Sequence, residues 1–264
     1  MLDEPATGKE FFDREELMDV LTEKFNQAKK GKKRNIALIG LRKVGKTSIL
    51  WEFMNRNKYP LQIYMYVKAK PTRTVFRKML GLILCRYLGN TEVLLATDEN
   101  LRKLAMDCIE ANPRIGRFSL QIIDQIDKAL EVEELLSLIW GLLTEISREK
   151  LVILILDEFQ HFASWGENII ETLRENLMEQ PRVWWIIAGS SVSMMEDIIN
   201  SETSPLYGHF KSIYIEPFGY RDARMFLESI LDGISIKETH LNFIIQVTAV
   251  TLTIWRLWDT LWGM

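Results

Sequence analysis

Cysteine is almost absent from this chain: Cys85 and Cys108 are the only 2 in 264 residues. They lack metal-ligand spacing, which excludes a disulfide framework or a cysteine-zinc site and suits a reducing compartment. Histidine is scarce too. His161, His209 and His240 have no zinc-ligand spacing, and no Ser/His/Asp or Cys/His constellation can be argued from the order of residues. No apolar run approaches the ~18–20 residues of a membrane span, so no membrane association is expected. The first residues, Met1-Leu-Asp-Glu-Pro5, have no basic segment followed by an apolar one. Export is therefore not expected, and a cytoplasmic location is. Charge of one sign is lacking as well. The formal net charge of −3 gives no general attraction to nucleic acid. One basic stretch stands out, Ala28-Lys-Lys-Gly-Lys-Lys-Arg34, and reads as a solvated loop ahead of the first strand. Internal repeats and low-complexity segments are missing.

What is present is an ample core, with 47% hydrophobic residues in a length that suits one large domain or one domain plus a small appendage. Its most informative segment is Gly40-Leu-Arg-Lys-Val-Gly-Lys-Thr47. This matches G-x-x-x-x-G-K-[ST], a loop that cradles nucleotide phosphates. Asn35-Ile-Ala-Leu-Ile39 before it suits a buried strand, and Ile49, Leu50, Phe53 and Met54 after it repeat at helical spacing. A strand-to-helix junction presents unpaired N–H groups and a helix dipole to an anion. Gly40 and Gly45 let the backbone curl around oxygens, Lys46 supplies a cation to the terminal phosphates, and Thr47 is placed to ligate Mg²⁺. The nucleotide-contacting stretch is taken as Gly40, Leu41, Arg42, Lys43, Val44, Gly45, Lys46, Thr47 and Ser48. A guanine-reading Asn-Lys-x-Asp stretch is absent, since Asn57-Lys58 is followed by Tyr59-Pro60. ATP is therefore the expected nucleotide.

Along the chain, Asp13 and Glu16 suggest a capping box opening a first helix. Strands are expected at about 35–40, 61–67, 151–156, 183–189 and 212–216, alternating with helices. The stretch from Asn90 to about Lys128 reads as an insertion of short helices broken near Asn112-Pro113 and Gly116. This alternation predicts an α/β, P-loop NTPase architecture: a parallel five-stranded sheet with helices on both faces. Ligands in such sheets sit at the carboxyl ends of the strands.

The apolar run Leu151–Leu156 ends in Asp157-Glu158. Asp157, beside the phosphate loop, can hold Mg²⁺, and Glu158 can take a proton from the water that attacks the γ-phosphate. Val183–Gly189 likewise ends in Ser190-Ser191. Ser190 is preferred over Ser191 as the contact to the γ-phosphate or attacking water. The expected catalytic set is Glu158, Lys46 and Ser190, and the expected metal ligands are Thr47 and Asp157.

Together these pieces resemble the archaeal-type ATPases of the AAA+/STAND group, relatives of the origin-recognition ATPases. The matching segments are Phe12-Asp-Arg-Glu-Glu-Leu17, Gly40–Thr47, Leu156-Asp-Glu-Phe-Gln160, Ala188-Gly-Ser-Ser191 and Ser204-Pro-Leu-Tyr-Gly208. The resemblance implies ATP held between a core, residues 1–217, and a helical lid, residues 218–264, with Phe12 and Arg14 near the adenine. It also implies turnover used as a conformational switch. Two departures matter. The family commonly has Arg where this chain has His209, so a neutral His209 is expected to weaken hydrolysis. After Thr248, Ala-Val-Thr-Leu-Thr-Ile-Trp255 stands where relatives have Gly-Gly-Tyr-Pro. The observed residues can be encoded by ACA GCG GTT ACC CTC ACT ATA TGG. Restoring a single G after the first codon gives Thr-Gly-Gly-Tyr-Pro-His-Tyr-Met. Residues 249–264 are accordingly expected to be out of frame, and the lid truncated.

Three functions fit these features. The leading expectation is Mg²⁺-dependent ATP hydrolysis driving a switch, stimulated by an unknown protein partner or by self-association. The second is a module that holds ATP or ADP and scarcely hydrolyses it. The third is a DNA-associated ATPase contacting nucleic acid through its core, against which the net charge argues.

Overall fold

A computed structural model describes residues 5–8, 11–90, 96–128, 131–180, 182–230 and 237–248. Residues 249–264, on which the frameshift expectation rests, lie outside the described residues. The core is a five-stranded parallel sheet of β1 (Asn35–Ile39), β2 (Gln62–Tyr66), β3 (Val152–Asp157), β4 (Val183–Gly189) and β5 (Phe210–Tyr214), in the order β2-β3-β4-β1-β5. Its register pairs Ile36 with Ile186 and Ala37 with Ser212. The expected sheet is present. Its last strand begins and ends two residues earlier than the pattern suggested, because pairing with β1 starts at Asn35↔Phe210 and closes at Ile39↔Tyr214.

Side chains alternate across the pleat, so each strand feeds two cores. Val152, Leu154 and Leu156 of β3 join Trp185 and Ile187 of β4 on one face. Ile153 and Ile155 join Trp184, Ile186 and Ala188 on the other. The second face is covered by α1 (Glu15–Lys29) and α2 (Lys46–Arg56) through Leu21, Phe25, Ile49 and Phe53. The first carries α3 (Arg73–Tyr87), α4 (Asp98–Ala111), α5 (Pro113–Asp127), α6 (Val132–Ser147), α7 (Ile169–Glu179) and α8 (Val192–Ile199). The adjacent tryptophans serve opposite faces. Trp184 packs on Phe25 and Phe53, while Trp185 meets Trp140 at 5.4 Å and donates from Nε1 to Gln180 Oε1 at 2.9 Å. Burying a ring of that size stabilises by about 1.5–3 kcal/mol.

Two local expectations are corrected. The stretch after Asn90 contains full helices, α4 and α5, and the break falls only at Asn112-Pro113. There the Asn112 side chain caps α5, accepting from Arg114 N–H at 3.0 Å, with Pro113 in the first turn where no N–H is needed. Gly116 lies inside α5. A Cβ there would stand 2.4 Å from Ile109 N and 2.6 Å from Ala105 O, so this glycine allows close helix contact rather than a break. The second correction is at α1, where no Asp13 box forms. Asp13 and Arg14 are both left-handed, at φ 55° and 75°, and the helix begins at Glu15 without a side-chain cap.

Beyond β5, α9 (Tyr220–Ile230) and α10 (Glu238–Thr248) pack around Phe218, Phe226, Leu241 and Ile245. Phe12 joins this third cluster, 6.0 Å from the Phe218 ring and 5.3 Å from that of Phe226. No described helix is long and apolar enough to cross a membrane.

Candidate active site

All strands being parallel, their carboxyl ends meet at one edge of the sheet, and the loop from Gly40 to Gly45 leaves β1 there. Close packing dictates its first residue. A Cβ on Gly40 would lie 2.4 Å from the Ile215 carbonyl oxygen, which stands close because Ile215 N–H donates to Ile39 O at 2.7 Å. Lys43 at φ 69° and Gly45 at φ 97° turn the chain into α2 through left-handed conformations. Lys46 opens that helix with its ammonium folded back into the loop, donating to the carbonyls of Gly40 at 2.8 Å and Leu41 at 2.7 Å. Burial lowers its pKa, opposed by the nearby carboxylates of Glu158 and Asp157. Ser48, next in the helix, accepts from Ala6 N–H at 3.1 Å and so ties the segment before α1 to the loop's helix.

Asp157 ends β3 directly beside this helix. Thr47 Oγ1 donates to its Oδ2 at 2.6 Å, Tyr64 Oη to the same oxygen at 2.9 Å, and Glu158 N–H to Oδ1 at 3.0 Å. The carboxylate is almost fully buried, which raises its pKa, and the Thr47 and Tyr64 bonds pull it back. Tyr64 in turn has its pKa raised, first by burial and then by the Asp157 charge. A hydroxyl and a carboxylate oxygen this close are hard donors of the type Mg²⁺ prefers, so Thr47 and Asp157 fit the metal-holding role.

Glu158 follows in a left-handed conformation, φ 56°, at the head of a 3-10 turn, Phe159–Ser164. For a non-glycine residue this geometry costs on the order of 1–3 kcal/mol and persists only where surrounding contacts enforce it. The enforcing contacts reach the side chain: Ser190 Oγ donates to Glu158 Oε2 at 2.6 Å, and Gln160 Nε2 donates to the same oxygen. Gln160 Nε2 also lies 3.3 Å from Ser190 Oγ, while its buried Oε1 has no hydrogen-bond partner among the described residues. Gly189 makes room for this cluster, since a Cβ there would stand 2.3 Å from Met195 and 2.7 Å from Gln160 Oε1.

Lys46, Thr47, Asp157, Glu158 and Ser190 thus converge, with Ser190 buried and Ser191 only beginning α8. Phe12 and Arg14 sit elsewhere, in the contact between core and α9: Arg14 Nη2 donates to Glu216 O at 2.5 Å and stacks 4.7 Å over Phe218. His209 is the clear departure. It precedes β5 at the amino end of the sheet, where Asn35 Nδ2 donates to its carbonyl at 3.4 Å. A five-residue strand at ~3.3 Å per residue keeps it roughly 15 Å from the phosphate loop, so it does not reach its own chain's phosphate site. A contact within one chain therefore does not carry the expected weakening of hydrolysis. Tyr64 and Gln160 are site residues that sequence reasoning passed over. Tyr64 carried a faint signal as a hydroxyl in an apolar strand. Gln160 was visible only as a letter in the family segment.

A phosphate loop, a buried aspartate bonded to its threonine, and an adjacent glutamate on a parallel sheet define the class: a P-loop ATPase. The chain belongs to the family described as an ATPase domain predominantly from Archaea, whose model matches residues 11–243. ATP binding with ATPase activity in general is what that membership carries. Among solved structures, the Walker-type ATPase PABY2304 of Pyrococcus abyssi is 21% identical with a TM-score of 0.58, over 96% of this chain and 69% of its own. The Aeropyrum pernix ORC1 protein in complex with DNA is 18% identical, TM-score 0.52, over 83% of this chain and 49% of its own. The ORC2 protein of the same organism, in ADPNP–ADP complexes, is 16% identical, TM-score 0.53, over 90% of this chain and 56% of its own. The likeness is one of fold, and this chain spans about half the length of the two origin-recognition proteins. No curated protein matches the sequence.

Proposed function

We propose that this chain hydrolyses ATP with the help of Mg²⁺ and uses the nucleotide state to set the position of the α9–α10 lid. The observation that supports hydrolysis best is the Glu158 carboxylate. It follows directly on Asp157, the partner of Thr47, at the carboxyl end of β3 beside the phosphate loop. In the proposed reaction Glu158 accepts a proton from water as the water oxygen bonds to the γ-phosphorus. The bond from that phosphorus to the bridging oxygen breaks, leaving ADP and phosphate. Lys46 and the loop N–H groups orient the phosphates and offset their charge. Thr47 and Asp157 would hold Mg²⁺, which supplies electrostatic stabilisation of phosphate charge. Ser190 is the donor available to turn from Glu158 towards the γ-phosphate or attacking water.

The lid assignment is supported by Phe12 and Arg14, which join the segment before α1 to Phe218, Phe226 and the Glu216 carbonyl. A second reading, a nucleotide-holding switch with little turnover, is favoured by the engagement of Glu158 with both Ser190 and Gln160. Glu158→Gln decides between them. It should leave ATP affinity nearly intact and lower turnover by on the order of 10²-fold, the scale of a removed general base. A wild-type chain without measurable phosphate release would end the hydrolysis reading in favour of the switch.

A further inference from the structure

The parallel sheet gathers all five strand entrances at the end opposite the phosphate loop. Each of the first four entrances carries exposed cations. Before β1 stand Lys29, Lys30, Lys32 and Arg34; before β2, Lys58; before β3, Arg148 and Lys150; before β4, Arg182. Contacts along this edge show that the entrances adjoin. Trp184 Nε1 donates to Arg34 O, Lys33 Nζ to Val183 O at 3.1 Å, and Arg182 Nη1 to Glu149 O at 3.3 Å. Around these four entrances the nearby carboxylates are fewer, Glu110, Glu145, Glu149 and Glu179, while the β5 side carries exposed Asp197 and Glu202. Glu145 is already paired with Arg114 and Arg148, and Glu149 accepts from Asn112. A chain of net charge −3 therefore has one strongly positive edge.

Beside the β2 entrance the edge deepens into a cavity of about 350 Å³ lined by Tyr59, Pro60, Arg86, Tyr87 and Lys150, among others. Lys150 Nζ lies 5.0 Å over the Tyr87 ring. Tyr87 is buried and Tyr59 half-buried, so the cavity offers a base a stacking contact at Tyr59 while the cations beside it meet phosphates. Of the large apolar side chains exposed among the described residues, Tyr207 lies before β5 and Met178 ends α7 ahead of β4, too few and too scattered for a membrane-inserting patch.

We propose that the amino end of the sheet is a docking surface for the phosphate backbone of nucleic acid, separate from the nucleotide site. The cations stand at four adjacent entrances, β2-β3-β4-β1, so three inter-strand steps of ~4.8 Å make the row roughly 14 Å long. Backbone phosphates recur about every 3.4 Å along each strand of a duplex, so about four fall within it. Contact with four of them gives a salt slope of about −3.6 for a duplex and about −2.8 for a single strand, so a rise from about 50 to 200 mM salt weakens binding roughly 150-fold and roughly 50-fold respectively.

Fluorescence anisotropy of labelled oligonucleotides, single-stranded and duplex, tests this across that salt range. Wild type should bind with the stated slopes, favouring the single strand because its bases reach the Tyr59–Tyr87 cavity. The triple variant Lys32→Glu, Lys58→Glu, Lys150→Glu should lose binding at least tenfold while keeping its melting temperature and ATP affinity. The milder triple Lys→Gln set at the same positions should fall between. Lys46→Ala should bind oligonucleotide like wild type, which separates this edge from the phosphate loop and from the ATPase reading. The proposal is overturned if wild type does not bind at about 50 mM salt, or if the triple variant binds unchanged. Binding to phosphatidylserine vesicles without binding to oligonucleotides would equally overturn it.

Discussion

The two ends of one sheet hold opposite kinds of chemistry. At the carboxyl end, charges are buried, few and mutually bonded: Asp157 is 1% exposed and takes hydrogen bonds from Thr47 and Tyr64. At the amino end the charges are mostly exposed, numerous and, around the first four strand entrances, predominantly positive. Low dielectric makes each contact at the first end costly to lose, because removing a partner strands a desolvated group. At the second end water screens each cation, so single residues matter little and the sum matters. One end is therefore suited to directing a reaction, the other to adhesion.

The sharpest way to test that contrast is Lys46→Ala. Lys46 is the loop cation folded back against the Gly40 and Leu41 carbonyls, whereas Arg42 and Lys43 are exposed, so tight Mg-ATP binding should vanish in a calorimetric titration. Unchanged affinity would remove the phosphate-loop assignment altogether. Next in size is Tyr64→Phe. It deletes one of two hydroxyls on a buried carboxylate oxygen and should destabilise the nucleotide-free protein by about 1–3 kcal/mol in chemical unfolding. A neutral result would mean that Thr47 alone satisfies Asp157.

The smallest effects belong at the amino end. His209→Arg should leave turnover by the isolated chain unchanged, since β5 carries that residue away from its own phosphates; an increase would show that it acts on a neighbouring chain's site. His209 has its pKa lowered by burial and by the Arg174 charge. A lowered folded-state value contributes stability that is present above the ordinary value of about 6.5 and lost as pH falls through the folded one. His209→Gln should slightly flatten the acid limb of a stability–pH curve. An identical curve would remove the histidine from consideration.

Much of this could be read from local pattern. The loop Gly40–Thr47, the β3 tip at Asp157-Glu158 and the polar end of β4 each declare themselves within a few residues, because strand-to-helix junctions obey short-range rules. Strand order does not, and it alone brings Arg34, Lys58, Lys150 and Arg182 to one edge. The basic stretch 28–34 looked like a solvated loop in isolation, because its neighbours arrive from residues more than a hundred positions away. Tyr64 and Gln160 escaped for the same reason: their partners Asp157 and Ser190 lie 93 and 30 residues distant. Asp13 misled in the opposite way. It offers good local capping chemistry, but tertiary contact of Arg14 with Glu216 fixes the backbone in a shape that cannot use it.

The left-handed backbone at Glu158 has an evolutionary consequence. Glycine adopts φ 56° without steric cost and asparagine with little, so a chain selected only for folding could replace the glutamate with either. Under the proposed general-base role, its presence is a trade of stability for activity. Glu158→Gly relieves the left-handed backbone but strands the buried Ser190 and Gln160 donors, so a stability scan should rank it close to wild type, whereas an activity scan should discard it. Descendants that give up the reaction but keep the fold would drift at this position first, so its residue distinguishes working copies from retired ones.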